Sequence, residues 1–255
     1  MSIHAPTPWL IGQPRPHSRL RLFCFAYAGG SASVFHGWQA ALDPSIEVCA
    51  VQLPGRGARM AEAPIMSMPA LLQQIAPLIA RRNDRPFAFF GHSVGALIAF
   101  ELARYLRLHG INGPARLIVS GCQAPQHRSP SKQYHTLADD ALIDVLRDYN
   151  GTPPQVLQSR ELMELVLPTI RADFSLAENY RYRTGPLLNL PISVFAGERD
   201  DNRGEGQVVG WSRETSQDCR VVWFDGGHFF IDSQRSQVLE QVGIELAELS
   251  GRMSA

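Results

Sequence analysis

The sequence predicts an α/β fold in which a mostly parallel, doubly wound sheet carries an inserted helical lid. Short, nearly continuous apolar segments recur along the 255 residues, each followed by Gly, Pro or Asp. Such segments are typical of strands that are covered on both faces. Segments with helical periodicity lie between them, which favours right-handed βαβ crossovers. A long helical stretch in the second half interrupts this alternation and predicts the lid.

Six apolar segments are predicted as strands, over residues 20–26, 47–53, 86–91, 115–121, 192–197 and 219–225. The helix that follows residue 93 places Val94, Ile98 and Leu102 on one face, and Gly110 provides a stop signal just past its end. Two further covering helices are expected over residues 68–82 and 236–249.

Residues 130–185 hold about fifty residues of helical pattern between two predicted strands, more than a normal crossover needs. In this lid we expect Thr136 to cap a helix that ends near Asn150 and Gly151. Two more helices should follow and meet at Pro168. The whole chain, residues 1–255, is expected to form a single domain with the lid as its insertion.

Composition limits the classes of partner and compartment. Lys plus Arg and Asp plus Glu both number 24, so no global field favours nucleic acid or an anionic membrane. The N-terminal segment lacks the apolar core of a signal peptide and no stretch approaches a membrane span, which predicts a cytoplasmic protein. Cysteines 24, 49, 122 and 219 show no CxxC spacing and are expected as free thiols, without a metal site. We expect a monomer.

The segment "FFGHSVGAL" places Ser93 between Gly91 and Gly95, after a predicted strand and before a predicted helix. This context favours a nucleophile elbow, in which flanking glycines allow a sharp turn that exposes the serine hydroxyl. The alternative is a serine with only a structural role in a turn. A serine nucleophile needs a base to take its proton and a third group to orient that base.

His228 is the expected base, because it follows the last predicted strand at the sheet edge where functional loops gather. His92 precedes Ser93, but the elbow should turn it away. The loop after the penultimate strand offers Asp200 and Asp201 as the acid, and we favour Asp200. The order serine, acid, histidine is that of the α/β-hydrolase triad. A packed loop histidine and a turn-capping aspartate remain the alternatives.

Two backbone donors are expected to stabilise the negative charge that develops on a substrate oxygen. One is the N–H of Val94, directly after the serine. The other is the N–H of Ala28, in the loop "FAYAGGSAS" after the first predicted strand, where Gly29 and Gly30 let the backbone turn inward. A tight turn without a catalytic role is the alternative for this loop.

Together these stretches, with "VQLPGRGAR", "LPTIRADFSLAENY", "VFAGERDD" and "GGHFF", resemble the type II thioesterases of polyketide and nonribosomal peptide assembly lines over nearly the whole chain. The resemblance implies Ser93 as nucleophile, His228 as base and Asp200 as acid, with Ala28 and Val94 as oxyanion donors. One departure is Ala26, where the family usually has proline. Arg56, Arg171 and Asp173 match family motifs and are interpreted as structural.

The resemblance also implies the reaction and the partner. The substrate would be an acyl group on the phosphopantetheine arm of an acyl or peptidyl carrier protein, hydrolysed through an acyl-enzyme without a cofactor. A small-molecule carboxylesterase with the same triad is the enzymatic alternative. A catalytically inactive accessory protein that binds carriers is the alternative from a different class.

Overall fold

The computed structural model describes residues 7–128, 133–200 and 205–252. Seven strands within these ranges form one sheet in the order β1-β3-β2-β4-β5-β6-β7, in which β1 is antiparallel to β3 and the other pairs are parallel. The strands are β1 (Leu10–Ile11), β2 (Leu20–Phe25), β3 (Ile46–Val51), β4 (Phe87–His92), β5 (Arg116–Ser120), β6 (Ile192–Gly197) and β7 (Cys219–Phe224).

Helices cover both faces of the sheet. They are α1 (Trp38–Ala41), α2 (Met68–Ala80), α3 (Val94–Leu108), α4 (Asp139–Tyr149), α5 (Pro154–Leu157), α6 (Arg160–Glu178), α7 (Glu205–Val209), α8 (Phe230–Ser233) and α9 (Arg235–Arg252). One large apolar core lies between the sheet and helices α2 and α3. A second core joins the opposite face to α1, α8 and α9. The predicted α/β class and doubly wound sheet are therefore confirmed, as an α/β-hydrolase fold.

The two ends of the sheet differ from the sequence prediction. The short strand β1 lies in a segment for which no strand was predicted, because two residues carry no readable periodicity. Strand β7 was predicted as covered on both faces, but it is an edge strand, most of its residues are only half-buried, and Trp223 is 40% exposed. An edge strand lacks a neighbour on one side, so apolar composition alone does not show burial there.

The inserted lid consists of α4, α5 and α6, which enclose a small separate core around Leu142, Leu146 and Met163. The predicted cap at Thr136 is wrong: Thr136 ends a short 3₁₀ helix, and its hydroxyl donates to the carbonyl of Gln133. The helix begins at Asp139 and ends where Asn150 takes a left-handed conformation.

The predicted break at Pro168 is also wrong, because α6 continues through this residue. Proline removes one backbone hydrogen bond from a helix interior. Here Met163 and Leu167 before it and Ile170 and Leu176 after it are all buried. Packing of α6 into the lid core and the main core, on both sides of Pro168, thus offsets the lost bond.

Candidate active site

Ser93 lies at the turn between β4 and α3 with φ 57° and ψ −120°. Left-handed φ values are uncommon for residues other than glycine and typically mark a functional turn. The backbone N–H of Ser93 donates to the carbonyl of Ser120 at 2.8 Å, which ties the turn to the end of β5. The side chain is half-buried at the carboxyl end of the sheet.

The two glycines that flank Ser93 allow backbones to approach where no side chain fits. A Cβ on Gly91 would lie 2.2 Å from the carbonyl oxygen of Gly95. A Cβ on Gly95 would lie 2.2 Å from the carbonyl oxygen of Phe25 and 2.5 Å from that of Ala26. The close approach at Gly95 brings the start of the loop after β2 directly against the first turn of α3.

His228 and Asp200 complete a hydrogen-bonded chain with Ser93. The Ser93 Oγ lies 3.1 Å from His228 Nε2, and His228 Nδ1 lies 2.8 Å from Asp200 Oδ2. Both partner side chains are largely removed from solvent, at 9% exposure for His228 and 1% for Asp200. The Asp200 carboxylate only accepts, so Nδ1 carries the proton and Nε2 is free to accept from the serine hydroxyl. Asp201 lies outside the described residues.

The loops that hold Asp200 and His228 are joined by their backbones. Glu198 N–H donates to the carbonyl of Phe224 at 2.9 Å, and Arg199 N–H donates to that of Gly226 at 2.9 Å. A Cβ on Gly197 would lie 2.6 Å from the Gly226 oxygen, so glycine is needed where the two loops meet. These contacts fix the separation between the carboxylate and the imidazole.

Ala28 and Val94 lie in the two segments that Gly95 brings together. Val94 is the first residue of α3, and Ala28 lies in the turn closed by the bond from Gly30 N–H to the carbonyl of Tyr27, at 2.9 Å. Within the described residues, neither the Ala28 nor the Val94 backbone N–H donates a hydrogen bond. Two such donors beside a serine are suited to an oxyanion.

His92, which we expected to point away from the site, contacts the backbone of the site instead. Its ring is fully buried, with Nδ1 2.8 Å from Ser120 Oγ and Nε2 2.9 Å from the backbone oxygen of His228. A carbonyl only accepts, so Nε2 carries the proton in this bond. His92 thus holds the backbone of the expected base, a contact with a carbonyl that no sequence motif could have shown.

Aromatic side chains pack around the imidazole of His228, and Phe229, its neighbour in the chain, lies edge-on to it with ring centroids 5.1 Å apart. Tyr149 packs edge-on against that ring with centroids 6.1 Å apart. Tyr27 packs edge-on against Phe229 at 5.0 Å, and burial raises the pKa of its hydroxyl. A cavity of about 650 Å³ opens between the end of α4 and the His228 loop, and Asp200, His228 and Tyr149 line it. The cavity reaches the Asp200 and His228 side of the site, and Ser93 is not among the residues that line it.

A strained serine at a strand-to-helix turn, bonded to a histidine that is bonded to a buried carboxylate, is the arrangement of serine hydrolases with the α/β-hydrolase fold. No helix in the described part of the chain is both long and apolar enough to span a membrane.

Comparison with known proteins gives the family. The thioesterase domain model matches residues 20–245, so the chain belongs to the thioesterase family and is a hydrolase that acts on thioesters. The gramicidin S biosynthesis protein GrsT of Aneurinibacillus migulanus is 41% identical over 88% of this chain and 87% of its own. Thioesterase PikA5 of Streptomyces venezuelae is 38% identical over 95% of this chain and 86% of its own.

The solved structures agree with this family. The type II thioesterase BorB from the borrelidin biosynthetic cluster superposes with a TM-score of 0.86, at 38% identity, covering 93% of this chain and 97% of BorB. The resemblance to type II thioesterases that the motifs indicated is thereby confirmed.

Proposed function

We propose that this protein is a type II thioesterase that removes aberrant acyl groups from the phosphopantetheine arm of acyl or peptidyl carrier proteins in polyketide or nonribosomal peptide biosynthesis. The observation that carries the proposal is the bonded chain Ser93–His228–Asp200 in a member of the thioesterase family. The assignment of the substrate to such pathways is supported by relatives such as GrsT and BorB.

In the first half-reaction His228 Nε2 takes the hydroxyl proton while Ser93 Oγ bonds to the thioester carbonyl carbon. The carbonyl electron pair moves onto oxygen, where the N–H groups of Ala28 and Val94 stabilise the charge. The tetrahedral adduct then expels the carrier thiolate, which receives the proton from the imidazolium. The carrier thiol leaves and the acyl group remains on Ser93 as an ester.

In the second half-reaction His228 takes a proton from water as the water oxygen bonds to the acyl carbon. The adduct expels Ser93 Oγ, which recovers that proton, and the carboxylic acid leaves. Asp200 holds the Nδ1 proton of the imidazole throughout, which keeps Nε2 as the reacting nitrogen and stabilises the imidazolium.

The partner carrier is tested by giving the enzyme one short acyl group on three supports: a phosphopantetheinyl carrier protein, a free pantetheine analogue and a nitrophenyl ester. We expect the highest kcat/KM for the carrier, because binding energy from the remote part of a substrate can be used at the reacting centre. Ser93→Ala enzyme is the blank. If the ester is hydrolysed best and the carrier thioester is untouched, the protein is a carboxylesterase. Carrier binding without turnover on any support would indicate an inactive accessory protein.

A further inference from the structure

We infer that Asp173 and Arg56 are positioning residues for the oxyanion loop, through which the lid helix α6 holds the Ala28 donor in place. This inference rests on the role proposed for Ala28 above. Asp173 lies on α6 and Arg56 lies in the loop after β3, 117 residues away in sequence. Their contacts meet at the loop of Tyr27 to Gly30.

The Asp173 carboxylate accepts three hydrogen bonds. Arg56 Nη1 donates to Oδ2 at 2.6 Å and Nη2 donates to Oδ1 at 2.9 Å, a bidentate pair. The backbone N–H of Gly29 donates to Oδ2 at 2.8 Å. Arg56 Nη1 also donates to the carbonyl of Gly30 at 3.2 Å. The ion pair thus binds one donor and one acceptor of the same turn.

That turn contains Ala28. Because Gly30 N–H bonds to the Tyr27 carbonyl at 2.9 Å, residues 28 and 29 are the two central residues of a tight turn. The peptide between them carries the Gly29 N–H that Asp173 binds, so a shift of this peptide rotates the backbone at Ala28. Fixing Gly29 and Gly30 therefore fixes the direction of the Ala28 N–H.

The loop contacts α6 at Gly29. Gly29 has φ +74°, and a Cβ there would lie 2.9 Å from Ile170 Cγ1. The Asp173 and Arg56 side chains are 1% and 6% exposed. A buried pair contributes little net stability over apolar residues, but it specifies geometry well when its hydrogen bonds are satisfied. Here the geometry that it specifies is that of an oxyanion donor.

Two substitutions of Asp173 distinguish a role in positioning the Ala28 N–H from a role in stability alone. Asp173→Asn and Asp173→Leu both remove the charge partner of Arg56, but only asparagine can still accept from Gly29 N–H. With a small acyl thioester as substrate, we expect Asp173→Leu to lower kcat by about 10²-fold, the scale of losing one oxyanion donor, with KM nearly unchanged. Asp173→Asn should retain several-fold more turnover, because it keeps an acceptor for the Gly29 N–H. Equal turnover of the two folded variants would overturn the inference.

A double variant covers the case in which Asp173→Leu does not fold. Arg56→Met with Asp173→Leu replaces the pair by apolar side chains, a change that proteins often tolerate. An alkylboronic acid, which bonds to a serine Oγ as a tetrahedral anion, should bind this variant about 10²-fold more weakly than wild type. Thr169→Val is the matched control, since it removes another bond between α6 and the loop after β3, from Thr169 Oγ1 to the Gly55 carbonyl at 2.5 Å. The control should bind boronate within about threefold of wild type.

Boronate affinity that is unchanged in the folded double variant would show a merely structural ion pair. Wild-type enzyme that neither turns over the thioester nor binds boronate would instead refute the proposed catalytic role of Ser93.

Hydrogen exchange of the wild-type protein tests the inference without a variant. The Gly29 amide should exchange as slowly as the buried amides of α6. Fast exchange at Gly29 would contradict the inference.

Discussion

Ser93 combines a left-handed backbone with a position that only small neighbours permit. Strain of this kind costs about 1–3 kcal/mol and persists only where the surroundings over-determine it. Here the Ser120 carbonyl holds the Ser93 N–H, while Gly91 and Gly95 remove the side chains that would collide. The strained turn directs the Ser93 hydroxyl toward His228. A small polar residue fits both the turn and this hydrogen bond.

Replacing Asp200 by asparagine tests the acid. An amide at this position donates as well as accepts, so it can stabilise the imidazole tautomer with the proton on Nε2, which cannot take the serine proton. We expect Asp200→Asn to lower kcat by about 10³-fold or more in steady-state assays. Asp201→Asn is the control and should cost little. The reverse ranking would move the acid by one residue.

His92 offers a second test at the residue scale. Glutamine can place its amide near the position of Nε2 and still donate to the His228 carbonyl, whereas asparagine reaches only the Ser120 side. We expect His92→Asn to lower kcat by about tenfold, the value of one buried hydrogen bond, and His92→Gln to lower it less. Measured kcat values for folded variants with matched melting temperatures decide the ranking. Equal values would show that the bond to the His228 backbone has no effect on turnover.

The grouping of Ser93, Asp200 and His228 could be predicted because each follows a strand with a readable apolar pattern and the chain order restricts the choice. The contacts of His92 and Asp173 could not. His92 binds a backbone oxygen 136 residues away, and Asp173 binds a backbone N–H 144 residues away. Every residue has the same backbone carbonyl, and nearly every residue has the same N–H, so the residue type at the partner position does not reveal such a contact.

At the scale of elements, the lid divides into two parts with different attachments. Helix α6 is fixed to the sheet loops by Asp173 and Thr169 and contributes Leu176 to the main core. Helix α4 instead packs on α6 through the small lid core of Leu142 and Leu146. We therefore expect any movement that admits a substrate to occur in α4, while α6 stays with the oxyanion loop.

The end of α4 rests on Phe229, beside His228. A Cβ on Gly151 would lie 2.0 Å from Phe229 Cζ, so Gly151→Ala must displace either the lid end or the ring. We expect this variant to lower kcat/KM several-fold without a comparable loss of thermal stability. Gly113→Ala is the control, because a Cβ there meets nothing within 4 Å. Unchanged kcat/KM in Gly151→Ala would show that closure of α4 on Phe229 does not matter for turnover.

The elements themselves were largely readable from the sequence, since buried parallel strands and amphipathic helices have distinct periods. The predicted break at Pro168 is wrong because packing along α6 outweighs the local preference for a break, whereas the predicted cap at Thr136 is wrong for a local reason. The buried face of α6 continues past Pro168. Thr136 is occupied by its bond to the Gln133 carbonyl.

At the scale of the whole molecule, stability should fall in alkaline solution. Burial, followed by the neighbouring Glu47, raises the pKa of the Cys49 thiol from its ordinary value of 9.0 to about 12. Between these values the unfolded chain releases the thiol proton and the folded protein keeps it. The free energy of unfolding therefore decreases as pH rises, by up to about 1.4 kcal/mol per pH unit from this thiol.

A Cys49→Ala variant isolates this effect. Its cavity should destabilise the protein near neutral pH, but the stability gap to wild type should narrow as pH rises above about 9, since the variant lacks the titrating thiol. Denaturant unfolding at several pH values measures the gap. Val51→Ala, in the same strand and also buried, should keep a constant gap. A gap of constant size in Cys49→Ala would contradict the alkaline contribution of this thiol.

The central claim is that Ser93 receives the acyl group from a carrier thioester. Rapid-quench mass spectrometry tests it most directly: wild-type enzyme is mixed with an acylated carrier protein, stopped within the first turnover and digested. The account predicts that the peptide containing Ser93 transiently gains the mass of one acyl group as the carrier loses it, and that Ser93→Ala enzyme shows neither change. Loss of the acyl group from the carrier at the wild-type rate in Ser93→Ala, or an acyl adduct on another residue, would contradict it.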